Sequence, residues 1–109
     1  MEGFIRSDVV VIHFPFSDLT QLKRRPALVL STPPGNDLIL CQITSQNIKD
    51  AYSVTLSDKD FDNGRLNKPS NVRPNRLFTA DENIVLYKVG NINPYKMDAV
   101  LNTVIGLFK

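Results

Sequence analysis

Apolar and polar positions alternate along this chain in short runs of the strand period, until the last sixteen residues switch to the helix period. The run Val9-Val10-Val11-Ile12 is apolar on both sides. It predicts a strand over residues 8–14 that is buried on both faces, as in a small barrel. Pro15 ends it, and residues 16–24 read as a polar, basic loop. A second strand is predicted over 27–31, with Pro26 at its first position, where a missing N–H is tolerated. Pro33-Pro34-Gly35-Asn36 is a turn. A third strand follows over 37–44, with Ile39, Cys41 and Ile43 on one face and Leu38, Leu40, Gln42 and Thr44 on the other. Gln46 would join Gln42 and Thr44 if the strand ran on.

The second half is less regular. A short strand is predicted over 52–56, then a single helical turn capped by Ser57 and running through Asp58, Lys59 and Asp60. Asn63-Gly64 is a turn signal. Residues 72–79 read as extended, with Pro74 marking a bulge or an edge. Residues 80–83 form a turn and 84–90 a last strand. Asn93-Pro94 is a helix start, and Met97, Val100, Leu101, Val104, Ile105 and Phe108 follow one face of the helix as a core stripe. About six short, mostly antiparallel strands with a closing helix make a mainly β fold, best matched by a small SH3-like β-barrel.

Size and composition leave one domain, residues 1–109, of ordinary character, with 42% hydrophobic and 22% charged residues. No apolar run is long enough to cross a bilayer, and the N-terminus lacks a signal-peptide pattern. A cytoplasmic protein is expected. The single cysteine, Cys41, excludes an internal disulfide, and the single histidine, His13, excludes any mechanism that needs two imidazoles. No phosphate-binding glycine loop and no metal-ligand spacing stand out, so no metal or cofactor is expected. The net charge of +2 says little, but its distribution says more. Residues 19–36 contain Lys23, Arg24 and Arg25 and no acid, and residues 63–80 contain Arg65, Lys68, Arg73 and Arg76 and no acid. If the fold joins these segments, they make a basic surface for a polyanion; apart, they are two solvated loops.

Several elements together carry a family resemblance. They are the Asp8-Val9-Val10 opening, Phe14-Pro15-Phe16-Ser17-Asp18, Arg25-Pro26-Ala27-Leu28-Val29-Leu30-Ser31 and Ile43-Thr44-Ser45-Gln46. Further along come Gly64-Arg65-Leu66, Ser70-Asn71-Val72-Arg73, Leu77-Phe78-Thr79 and Val89-Gly90. From about residue 7 onward the chain resembles the MazF/PemK-like toxins of bacterial toxin–antitoxin pairs. One departure is Ser7, where the family usually has glycine before the aspartate.

The resemblance implies an SH3-like barrel, usually a homodimer, that cuts single-stranded RNA without a metal. It implies attack by the RNA's own 2′-OH, leaving a 2′,3′-cyclic phosphate and a 5′-OH. It also implies a cognate antitoxin that blocks the RNA groove with a flexible acidic segment. The family's arginine before proline falls on Arg25 and its threonine on Thr44, so these are the expected catalytic pair. The residues themselves agree. Pro26 pushes Arg25 into an extended conformation at the loop–strand junction, where its planar fork of donors suits a phosphate. The Thr44 hydroxyl can donate to a phosphate oxygen. Phe16, Ser17, Asp18, Lys23, Gln46 and Arg73 are the candidate RNA contacts. Phe16 can stack on a base, Lys23 and Arg73 can meet phosphates, and Gln46 can read a base edge or bond to backbone. Arginine is a poor base, so Asp18 or His13 remains open for proton transfer, and Asp18 can equally cap its loop. Two other classes compete: a toxin on the same barrel that binds a protein target such as DNA gyrase, and a catalytically silent RNA- or protein-binding barrel.

Overall fold

The computed structural model describes residues 3–14, 23–48 and 50–109. Seven strands form one sheet: β1 (Asp8–Phe14), β2 (Lys23–Ser31), β3 (Asp37–Thr44), β4 (Val54–Leu56), β5 (Phe61–Gly64), β6 (Ser70–Asp81) and β7 (Val85–Ile92). The helix α1 (Pro94–Gly106) closes the chain. The order across the sheet is β4-β6-β3-β2-β1-β7-β5, and every pairing is antiparallel. The sheet curls into a half-barrel, which agrees with the expected mainly β fold with one C-terminal helix.

The unbroken apolar run in β1 has a simple cause: both faces of the sheet are covered. Val9 joins Leu28, Cys41, Ile43 and Val72 in a core on one face, completed by Met97 and Val100 of α1. Val10 and Ile12 join Ala27, Val29, Leu38 and Leu40 on the other, under Phe4, Phe78 and Val85. Each such fully buried aliphatic side chain stabilises the fold by about 1.5–3 kcal/mol. Cys41 lies fully inside, and burial pushes its thiol up to about 12. It is a packing residue rather than a nucleophile.

Four expectations need correcting. Pro26 is not the first residue of its strand, because β2 begins at Lys23. Pro26 pairs only with Val11 of β1, since the ladder to β3 starts at Ala27. The strand is one-sided at that point, which tolerates a missing donor. Asn63-Gly64 does not reverse the chain; it ends the short strand β5, which pairs with β7. The third strand stops at Thr44, so Gln46 does not continue its polar face. The helix stripe is only partly core. Met97 and Val100 are buried, but Ile105 is 51% exposed, and Phe108, at 77%, falls past the end of α1 at Gly106.

The bulge at Pro74 is real. Gln42 pairs with Arg73 whereas Cys41 pairs with Leu77, so residues 74–76 are extra on β6. Asn93 caps α1 as expected, its Oδ1 accepting from the Lys96 N–H at 2.8 Å. The single turn at Asp58–Asp60 also forms, closed by the Ser57 N–H donating to the Asp60 carboxylate at 2.8 Å. No helix among the described residues is long and apolar enough to cross a membrane.

Candidate functional site

Thr44 ends β3 and is buried, outside both apolar core clusters. Its Oγ1 accepts from the Gln46 N–H at 3.2 Å, closing a tight bend at residues 45–46. A hydroxyl that accepts at its oxygen still has its own proton to donate. The bend is fixed from the other side as well, because the Asn71 side-chain amide donates to the Gln46 carbonyl at 3.1 Å. Asn71 is also the cross-strand partner of Thr44. The side chain of Gln46 is left exposed.

Arg25 lies two residues before Ala27 on β2, and Ala27 pairs with Gln42 of β3. Ala27–Gln42 is the last rung of that ladder, and Arg25 and Thr44 each stand two residues beyond it on their own strands. Partners across a sheet point to one face, so Arg25 and Thr44 share the face that also carries Gln42 and Asn71. Arg25 is half-buried and pairs with Ile12 on its other side. The two residues singled out from the sequence therefore lie on one face of the sheet, both beyond the end of the β2–β3 ladder.

Arg73 pairs with Gln42 and so belongs to the same face. Its Nη2 donates to the Asp50 Oδ2 at 3.2 Å. Asp50 is itself held by the Tyr52 and Ser53 N–H groups, at 2.9 and 2.8 Å. The Tyr52 N–H lowers the acidity range of this carboxyl below its usual value, helped by the Ser53 N–H and by the charge of Arg73. A phosphate reaching Arg73 must share it with Asp50. His13 falls differently: it pairs with Arg24, which places it on the face opposite Arg25. Lys23 is exposed at the start of β2. Phe16, Ser17 and Asp18 lie outside the described residues.

Sequence reasoning missed Asp50 and Asn71. Asp50 carries a local signal, an aspartate two and three residues before free N–H groups, which is the pattern of an Asx turn. Asn71 carries none. Among the described residues no group of three His, Cys, Asp or Glu side chains converges to hold a metal ion. Chemically, the face offers a guanidinium and a hydroxyl as donors, with amides alongside, and this set suits a phosphate bearing negative charge.

A family model for the PemK-like, MazF-like toxins of type II toxin–antitoxin systems matches residues 5–108. No curated sequence matches the chain. Among solved structures, MazE–MazF from Deinococcus radiodurans is similar with a TM-score of 0.80 at 19% identity, covering 98% of this chain and 97% of that one. An endoribonuclease in complex with its cognate antitoxin from a mycobacterial species gives 0.76 at 13% identity, covering 99% and 95%. The Mycobacterium tuberculosis toxin MazF-mt6 gives 0.73 at 18%, covering 93% and 95%. At these identities the likeness establishes the fold. The family match takes in every strand and the helix, and the chain belongs to the PemK-like, MazF-like toxins of type II toxin–antitoxin systems.

Proposed function

We propose that this toxin is an endoribonuclease that cuts single-stranded RNA without a metal. The observation that supports the reading is that Arg25 and Thr44 share one face of the sheet, each two residues beyond the Ala27–Gln42 pair. In the reaction, the 2′-oxygen forms a bond to phosphorus while the bond from phosphorus to the 5′-oxygen breaks. The 2′-OH proton passes to a base and a proton is delivered to the leaving 5′-oxygen. The products are a 2′,3′-cyclic phosphate and a 5′-OH. Arg25 and Thr44 donate to the non-bridging oxygens as charge builds there. Preorganised donors of this kind contribute about 3–4 kcal/mol each to the barrier reduction. The register sets His13 on the face opposite Arg25 and Thr44, which weighs against it in proton transfer.

The family reading brings a cognate antitoxin and a second copy of the chain as partners, in the cytoplasm where the RNA substrate is. The exposed side chains of Ile105 on α1 and of Phe108 just past its end are available to a protein partner. The related mycobacterial endoribonuclease bound to its antitoxin supports the pairing.

The test is incubation of the purified protein with a long single-stranded RNA in excess EDTA. Discrete fragments with 5′-OH ends are expected, and both Arg25→Ala and Thr44→Ala are expected to abolish them. Intact RNA with the wild-type protein refutes the nuclease and favours a toxin directed at a protein target. Cleavage that survives in Arg25→Ala keeps the nuclease but discards this site.

A further inference from the structure

Three open cavities run together along the edge of the half-barrel. The first, about 330 Å³, adjoins the Thr44 row and is lined by Gln46, Asn47, Thr55 and Asn71. It shares Ser57 and Pro69 with a second of about 450 Å³, which adds Lys59 and Lys68. The second shares Arg65, Leu66 and Asn67 with a third of about 330 Å³, whose far wall carries Arg24 and Tyr87. The result is one trough. It starts beside the candidate site, at Gln46 and Asn71, and ends at Arg24, which lies on the face of β2 opposite Arg25.

The two acid-free basic segments of the sequence therefore meet here, Arg24 from one and Arg65 from the other. Among the described residues four cations line the trough, Arg24, Lys59, Arg65 and Lys68, against one carboxylate, Asp58. Among the described residues no carboxylate pairs with Arg24, Arg65 or Lys68. Arg73, by contrast, has the Asp50 carboxylate. Tyr87 is 51% exposed and presents its ring in the same trough. The placement is rigid at one point. Gly64, at φ +76°, pairs with Gly90, and a Cβ on either glycine would lie 2.0 Å from a backbone oxygen of the other strand. This contact holds the Arg65–Leu66 turn against β7, over Tyr87 and Val89.

We propose that the trough carries the RNA strand beyond the scissile phosphate, a reading that rests on the nuclease assignment. Arg24, Arg65 and Lys68 neutralise successive phosphates, Tyr87 stacks on a base, and the amides near Thr44 hold the strand where it enters the site. Alternating cations with an exposed aromatic ring is the chemistry of a single-strand track, which reads little sequence. Affinity along such a track is salt-dependent because bound counterions are released.

The experiment measures binding by fluorescence anisotropy, using 2′-O-methyl oligonucleotides that cannot be cut. A 5-mer spanning the cleavage site is compared with a 15-mer. Wild-type protein is expected to bind the 15-mer more tightly. In Arg65→Ala/Lys68→Ala the 15-mer is expected to weaken about tenfold or more, and the slope of log affinity against log salt to fall by about 1.4, that is 0.7 per lost contact. The 5-mer should be unaffected. Tyr87→Leu is expected to weaken the 15-mer about tenfold without changing the slope. These positions are exposed, and an unchanged Tm confirms that the variants fold. An unchanged 15-mer affinity and slope in the double variant overturns the trough, as does wild-type protein that binds neither oligonucleotide. Unchanged RNA binding together with lost binding of an acidic peptide assigns the trough to a protein partner and also overturns it. Failure of the nuclease reads differently: the wild type binds the 15-mer as described but leaves ordinary RNA intact.

Discussion

The Asp50 carboxylate holds the Arg73 guanidinium at 3.2 Å across 23 positions of sequence. Arg73, on the candidate face, is thereby committed to an internal partner. The bond is also a pH-sensitive one. The folded-state value of Asp50 is depressed, so its contribution is full above the unfolded carboxylate value, about 3.9, and is lost as the pH falls through the lower folded value. Wild-type protein is therefore expected to melt above Asp50→Asn at neutral pH. The gap in Tm should close on titration to acid below about pH 4. A gap that persists or widens in acid contradicts the assignment.

Thr44 separates a hydroxyl effect from a packing effect. Thr44→Val keeps the shape and removes the donor, and should cut kcat about 10²–10³-fold. Thr44→Ser keeps the donor and should stay within about tenfold of wild type. Single-turnover cleavage of a defined RNA reads both. Equal losses in the two variants would assign Thr44 to packing alone.

Ser7 sits at φ +84°, a left-handed conformation that costs an L side chain about 1–2 kcal/mol. The turn cannot relax, because the Ser7 N–H donates to the Val29 carbonyl and its own carbonyl accepts from Ile92, both at 3.0 Å. Ser7→Gly removes the steric cost and adds some unfolded-state entropy, so a net gain of about 0.5–1 kcal/mol is expected. Thermal melting should show a rise of a few degrees.

The Gly64–Gly90 contact leaves no room for a methyl group on either strand. Gly90→Ala is expected to destabilise the protein by about 3 kcal/mol or more, as an overpacked site whose obstacle is backbone. Urea unfolding measures it, and a loss under about 1 kcal/mol would show that β5 can move away.

Cys41 should stay unlabelled by a thiol reagent in native buffer at pH 8 and react on unfolding, because burial holds its thiol up at about 12. Rapid native labelling would mean that the central strand β3 opens.

The legible parts of the fold were those with a strong period. The limits of β1 and β3, and the two faces of β3, follow directly from apolar runs bounded by Pro and Asp. The bulge in β6 was announced by Pro74. What stayed hidden depends on pairing at long range. Asn63-Gly64 has the residues of a reverse turn, but Gly90 on a distant strand draws it into a ladder. The partial exposure of the helix stripe depends on where the sheet ends beneath it. At the candidate site, local chemistry and resemblance named Arg25 and Thr44, which share a face of the sheet. The Asp50 clamp on Arg73 was not, since nothing near either residue names the other. The side of the sheet occupied by His13 likewise needed the register.

The three extra residues of β6 at 74–76 have a consequence for how this chain tolerates length change. An odd insertion reverses which side chains face which way, so Arg73 and Phe78, five apart, share a face. The segment therefore acts as a phase shifter between an apolar half-strand that roofs the core and a polar half-strand that serves Thr44. Gaining or losing one residue there, at what reads as a forgiving surface kink, would turn Asn71 and Arg73 to the wrong side or pull Phe78 off the core. Length at this point is under tighter constraint than residue identity.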